Sequence, residues 1–301
     1  MQFLGSENPA PAPEGSLFHV VPAPFERSVS YGSGAAAGPE AILQASRQLE
    51  VFDGVDVPLS HGIYTWAPLE TGGDTAAVFD RLRRACARCL KAGAVPAVLG
   101  GEHSVSYPAV QAALAAVRAS QTALPRDTSA LGVVQFDAHG DLRDRYHGNR
   151  FSHAAVMRRC HELGVPIHAV GVRALSPDDR EMRHNHPATI SFQDAIEVVP
   201  DGICQIVLPP RFPDAVYLTI DVDGLDPSVI SATGTPEPGG LGWYQTLALI
   251  ESLARVRRIV AFDVVELAPL TGRHADDFSA ARLVYQIMGI IARARKGGGP
   301  S

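Results

Sequence analysis

The chain has 301 residues, 46% hydrophobic and 19% charged, with a formal net charge of −6. That size admits one large α/β domain or two small ones. The charge offers no basic excess for nucleic acid or an anionic membrane, and no apolar run reaches the ~18 residues of a membrane span. The 4 cysteines do not make a disulfide framework and fit a reduced, cytoplasmic protein.

The N-terminal "MQFLGSENPAPAPEG" lacks the basic start and apolar core of a secretory signal, and its Pro/Gly/Ala content reads as a flexible lead-in over residues 1–15. The first strand is "LFHVVP" from Leu17. Next comes a helical stretch, "DTAAVFDRLRRACARCLKAG", with Val78, Phe79, Leu82, Cys86, Cys89 and Leu90 on one stripe. On that stripe Cys86 and Cys89 serve as small apolar residues, since no second C-x-x-C exists to complete a zinc site. Further apolar runs follow at Ala94–Gly101, Leu131–Asp137, Pro166–Val172, Ala188–Phe192, Ala215–Asp223 and Arg258–Leu267. Such near-continuous runs suit strands buried on both faces, as in a parallel sheet. Helical patterns lie between or after them. They are "SYPAVQAALAAVRAS", "HAAVMRRCHELG" (with Gly164 suited to the helix end), "WYQTLALIESLARV" and "DDFSAARLVYQIMGIIARA". Alternating strands and helices imply βαβ units and a three-layer α/β/α arrangement around a mostly parallel sheet. The end of the chain, "ARARKGGGPS", reads as a short basic tail, flexible over residues 297–301.

Four of the strands run directly into polar residues: "VLGGEHS", "VQFDAHGD", "LTIDVDGLD" and "AFDVVEL". In an open parallel sheet, ligands bind outside the carboxyl ends of the strands, so these segments should converge on one crevice. In "DAHGD", Asp137, His139 and Asp141 stand at every second position, and an extended backbone would put them on one face. Asp221 and Asp223 repeat the spacing, and His103 comes from the first segment. Close carboxylates repel unless a cation lies between them. Two imidazoles and four carboxylates exceed what one tetrahedral zinc requires and suit two oxygen-loving ions that share carboxylates, with Mn²⁺ a fitting choice. "DVDGLDPSVISA" is not a calcium loop, because its glycine stands fourth and no glutamate closes it.

Together "GGEHSVSYP", "FDAHGDLRD", "FSHAAVMRR", "TIDVDGLDPS", "ATGTPEPGGL" and "FDVVELAP" resemble the ureohydrolase family, the arginase and agmatinase group of dimanganese enzymes. The resemblance runs from "YGSGAAAGPEAILQAS" to the last helix, and "SHAAVMRR" and "TPEPGGL" look most like the agmatinase branch. It implies an arginase-like fold, with a single ureohydrolase domain expected over residues 16–296. It also implies two Mn²⁺ per chain. His103, Asp137, Asp141 and Asp221 would bind one ion, and His139, Asp137, Asp221 and Asp223 the other, with Asp137 and Asp221 bridging. His153 matches the family's mobile proton-shuttling histidine and Glu266 the glutamate that grips the guanidinium. These two, with Asp141, are the expected catalytic residues.

The chemistry implied is hydrolysis of a small guanidino compound to urea and an amine, foremost agmatine to putrescine. The ions supply a hydroxide at neutral pH, Glu266 holds the planar cation, and His153 delivers a proton to the leaving amine. Asp144 and His147, in the rim segment "DLRDRYHGNRFSH", join Glu266 and His153 as expected substrate contacts. Agmatinase-like relatives commonly carry an acidic or amide residue where His147 stands. Guanidinobutyrate and guanidinopropionate remain alternative substrates, and a catalytically inactive regulatory relative is the alternative from another class. The resemblance further implies a homo-oligomer, trimeric or hexameric.

Overall fold

The computed structural model describes residues 1–9, 11–120 and 129–297. Eight strands form one sheet: β1 (Phe18–Ala23), β2 (Ile63–Thr65), β3 (Val95–Gly100), β4 (Leu131–Phe136), β5 (Ile167–Val170), β6 (Ile190–Gln193), β7 (Ala215–Asp221) and β8 (Arg258–Val265). Their order is β2-β1-β3-β8-β7-β4-β5-β6. Every pairing is parallel. The helices are α1 (Gly38–Ser46), α2 (Thr75–Lys91), α3 (Ser106–Ser120), α4 (Val156–Glu162), α5 (Pro177–Asn185), α6 (Ala195–Val198), α7 (Trp243–Val256) and α8 (His274–Lys296).

Both faces of the sheet are covered, which is why its strands are apolar without interruption. In β7, Val216, Leu218 and Ile220 pack beneath α1, α7 and α8, whereas Ala215 and Tyr217 face the side of α2, α3 and α4. The stripe expected on α2 is buried at Val78, Phe79, Leu82, Cys86 and Cys89, and Leu90 is half-buried. Asp74 caps that helix by accepting the Ala77 N–H at 2.7 Å. Gly164 ends α4 at φ +78°, a left-handed turn that glycine makes without strain.

Two differences from the sequence reading stand out. The opening residues, expected to be flexible, dock onto the core. Phe3 and Leu4 are fully buried, their amides donate to Thr65 Oγ1 and Ser46 Oγ at 3.0 Å, and Asn8 Nδ2 donates to Ile63 O at 2.8 Å. Burying two large apolar side chains contributes about 1.5–3 kcal/mol each toward holding the segment in place. Strand β2, only three residues long, escaped notice because its pattern is too short to show a period. The expected tail is described only at Gly297; residues 298–301 lie outside the described residues.

Candidate metal centre

Strands β3, β8, β7 and β4 are consecutive neighbours in the sheet, although β3 and β4 precede the other two in the chain. Their carboxyl ends therefore open side by side, and the four polar segments meet there. Extended backbone does not run through the ligand segments, although Asp221 itself still ends β7 in extended conformation. Strand β4 stops at Phe136, and β7 gives way to a 3-10 turn at Val222–Gly224. In both loops the leading aspartate accepts an amide two residues on: Asp137 Oδ1 from His139 N at 2.6 Å, and Asp221 Oδ1 from Asp223 N at 2.9 Å. These are Asx turns, so side-chain hydrogen bonds help to fix the placing of the ligands past the strand ends. Gly224 lets the second loop lie against the first, because a Cβ there would stand 2.7 Å from Asp137 N.

All six sequence-derived ligands face one another. His103 Nδ1 lies 3.2, 3.0 and 3.4 Å from carboxylate oxygens of Asp137, Asp141 and Asp221. His139 Nδ1 lies 3.1 Å from Asp223 Oδ2 and 3.5 Å from Asp137 Oδ1. Asp137 thus turns Oδ2 to one group and Oδ1 to the other, while Asp221 approaches His103. His103 is fully buried and its Nδ1 has no hydrogen-bond partner. Its Nε2 is 2.9 Å from Thr219 Oγ1, which fixes the ring so that Nδ1 points at the carboxylates. A buried nitrogen left free and aimed at three carboxylates is the arrangement a metal ligand requires, and the donor set fits two hard divalent ions.

The crowding shows in the protonation equilibria. Burial and the neighbouring Asp137 push Asp141 up to about 7, and burial with adjacent carboxylates also raises Asp221 and Asp223. Burial works against Asp137 as well, but His103 and His139 outweigh it and hold that carboxyl below its ordinary range. The two imidazoles are drawn upward against their burial by the same carboxylates, His139 to about 12. Cations among these oxygens relieve the repulsion between them.

A cavity of about 370 Å³ opens above the ligands, and His153 and Glu266 line it with His139, Asp141, Asp221 and Asp223. Glu266 follows β8 at φ +64°, a left-handed backbone that costs a non-glycine residue ~1–2 kcal/mol. Its Oε1 accepts the His103 N–H at 2.6 Å, and burial pushes its carboxyl up to about 8. His153 stands across the cavity, where burial and then the His103 and His139 imidazoles lower it to about 4. Asp141 also has positive φ, +53°, and its carbonyl accepts the Met157 and Arg158 amides at 3.0 and 3.2 Å. That contact ties the metal loop to α4.

The rim differs from expectation. Asp144 does not line the cavity; it turns outward and accepts from the buried Arg159 at 3.1 Å, and that hydrogen bond lowers its carboxyl. His147 does not line it either. It occupies a tight turn at φ +46°, between the reciprocal amide bonds of Tyr146 and Asn149, and lies against the Tyr146 ring. Arg143 and Tyr146 line the cavity in their place, with the Arg143 guanidinium 5.4 Å from the Tyr146 ring centroid. Sequence reasoning also missed Ser30, Thr235, Asp179 and Arg173. The first three line the cavity. Arg173 donates to the carbonyls of Asp223 and Glu237 at 2.7 Å and of Pro238 at 3.0 Å, which pins the "TPEPGG" loop over the metal loop. Only the arginine beside a strand end hinted at that role.

The model of the Arginase family matches residues 16–289. The chain belongs to the arginase family. It is thereby a ureohydrolase-type enzyme, a hydrolase of amidino C–N bonds. It is 35% identical to the N(1)-aminopropylagmatine ureohydrolase of Synechocystis sp., over 98% of this chain and 95% of that one. It is 33% identical to the agmatinase of Pyrococcus horikoshii, over 90% of each. Its structure superposes on the agmatine ureohydrolase of Thermoplasma volcanium with a TM-score of 0.81 at 29% identity, covering 99% of this chain and 96% of that one.

Proposed function

We propose that this arginase-family enzyme holds two Mn²⁺ and hydrolyses the guanidinium group of agmatine, or of its aminopropyl-extended form, to urea and an amine. The observation that carries the reading is the pairing of six converging metal donors with the buried Glu266 over one cavity. When bound, a pair of divalent ions lowers the pKa of water to near neutrality and so supplies the nucleophile. An incoming guanidinium draws the raised Glu266 carboxyl back to its charged form, and the charge-assisted hydrogen bonds that result fix the cation's carbon over the ligand cluster. His153, kept neutral at pH 7 by burial, would take on a ring nitrogen the proton that the attacking oxygen sheds and pass it to the leaving nitrogen. Thr235 Oγ1, 3.5 Å from Asp223 Oδ2, and the loop clamped by Arg173 close the wall beside that carbon. Among the described residues no helix is long and apolar enough to cross a membrane. A cytoplasmic homo-oligomer, trimeric or hexameric, that serves polyamine synthesis completes the proposal.

For the substrate tail, the relatives named for agmatine and its aminopropyl derivative support an amine. One observation favours a second reading, a guanidino acid such as 4-guanidinobutyrate: a cation, Arg143, lines the cavity where Asp144 was expected. Asp179 also lines it, but its oxygens already accept the Leu142 and Ser176 amides at 2.8 and 2.6 Å. The test is kcat/KM for agmatine, N(1)-aminopropylagmatine, arginine and 4-guanidinobutyrate at one pH and ionic strength. A preference of about tenfold, about 1.4 kcal/mol, for either amine supports the first reading; the same preference for a carboxylated substrate overturns it.

A further inference from the structure

The motif "GGEHS" contains a residue that the chemistry above does not use. Glu102 is fully buried beside His103, and its carboxylate is saturated. Oε2 accepts the Arg27 N–H and, at 2.6 Å, the Ser28 N–H; Oε1 accepts the Ser28 hydroxyl at 2.8 Å and the Ser104 hydroxyl. A buried charge is a costly way to fasten a surface strap, so what the strap holds matters. It holds His153. Ser28 Oγ accepts the His153 backbone N–H at 3.1 Å and lies 3.3 Å from ring Nδ1. Ser30 Oγ lies 2.7 Å from ring Nε2 and lines the cavity.

The hydrogen inventory biases the ring toward one tautomer. A serine hydroxyl has one hydrogen, and that of Ser28 is committed to Glu102, so towards Nδ1 it can only accept. That favours the proton on Nδ1 and leaves Nε2 the basic nitrogen, met by the Ser30 hydroxyl on the cavity side. Ser152 Oγ, 3.2 Å from Nδ1, accepts the Ala154 N–H and can meet either tautomer, so the bias comes from the Ser28–Glu102 link. We propose that Glu102, acting through Ser28, is a positioning residue that fixes the Nδ1–H tautomer of His153 and so turns its basic Nε2 toward the substrate. The inference rests on the reading of His153 as the proton carrier.

The test uses full-length protein carrying Ser28→Ala, which cuts the link and leaves Glu102 its other donors; Glu102→Gln is the harsher variant. Kinetics with Mn²⁺ and agmatine are paired with ¹⁵N spectra of the histidine rings in protein loaded with diamagnetic Zn²⁺, the His153 signals being assigned by their loss in His153→Ala. Wild type should show the Nδ1–H pattern. Ser28→Ala should move toward Nε2–H and lose on the order of 10–100-fold in kcat, with KM and metal content within about twofold of wild type. Ser28→Thr, which keeps the hydroxyl, should retain both tautomer and rate. An Nε2–H pattern in the wild type, or a Ser28→Ala variant with unchanged spectrum or unchanged kcat, overturns the inference. Full activity of His153→Ala would instead overturn the reading of His153 itself.

Discussion

Thr219→Val tests how the metal centre is built without touching a ligand. Thr219 is fully buried in β7, and its hydroxyl lies 2.9 Å from His103 Nε2. Valine matches threonine in shape and suits a strand, so the substitution removes one hydroxyl and adds no bulk. The buried Nε2–H of His103 is then left without a partner, because the other nearby hydroxyl, Ser106 Oγ, is described against Thr219 itself at 3.4 Å. An unpaired buried donor costs about 1–3 kcal/mol, a fall in Tm of a few degrees. The ring also loses what orients Nδ1, and such supporting contacts are worth about 10–100-fold in metal affinity, or about 1.4–2.7 kcal/mol. The assay is equilibrium dialysis against chelator-buffered Mn²⁺ with metal analysis, alongside thermal unfolding of the metal-free protein. One of two ions should weaken by that factor, and the ion held by His139 should stay within about threefold of wild type. Unchanged affinity and Tm, or equal loss of both ions, would refute the assignment of His103 as a Thr219-supported ligand.

Glu266→Gln should reduce kcat/KM for guanidino substrates by roughly 10–100-fold, the worth of a charged hydrogen bond of about 1.5–3 kcal/mol, while metal content is retained; undiminished binding of a guanidino inhibitor would count against the role. Asp144→Asn should leave KM for agmatine within about twofold, since that carboxylate turns away from the cavity; a tenfold rise would restore it as a substrate contact. His168, buried between Ser191 Oγ at 2.9 Å and Gln193 Oε1 at 3.1 Å, is lowered to about 4 by burial. The unfolded chain protonates this residue first as pH falls below ~6.5. Stability is therefore full above ~6.5, lost progressively down to about 4 and flat below, by about 3 kcal/mol in all. Urea titrations at pH 7 and pH 4 should show that difference shrinking in His168→Gln, and an equal slope in both proteins would refute it.

The strands were legible because a parallel sheet covered on both sides leaves each strand apolar throughout, as in "VPAVLG" and "LGVVQF". The convergence of the donors was legible because each ligand follows its strand within a few residues, and strand ends in such a sheet share one edge. The reason given for their spacing was incomplete: the strands end at Phe136 and Asp221, and Asx turns at Asp137 and Asp221 carry the chain on and bring the same residues together. Side-chain direction in the rim was not legible. Whether Asp144 or Arg143 enters the cavity depends on a left-handed turn at His147 and on a distant partner, Arg159, that spacing does not encode. The strap of Ser28 and Ser30 was invisible for a similar reason, since its partners lie 74 and 123 residues away.

Stepwise addition of Mn²⁺ to metal-free protein, with urea release from a saturating guanidino substrate read at each step, tests the central claim most directly. A dinuclear ureohydrolase predicts activity that climbs to a break at two ions per chain. A break at one ion per chain, or no urea at any loading, would contradict it.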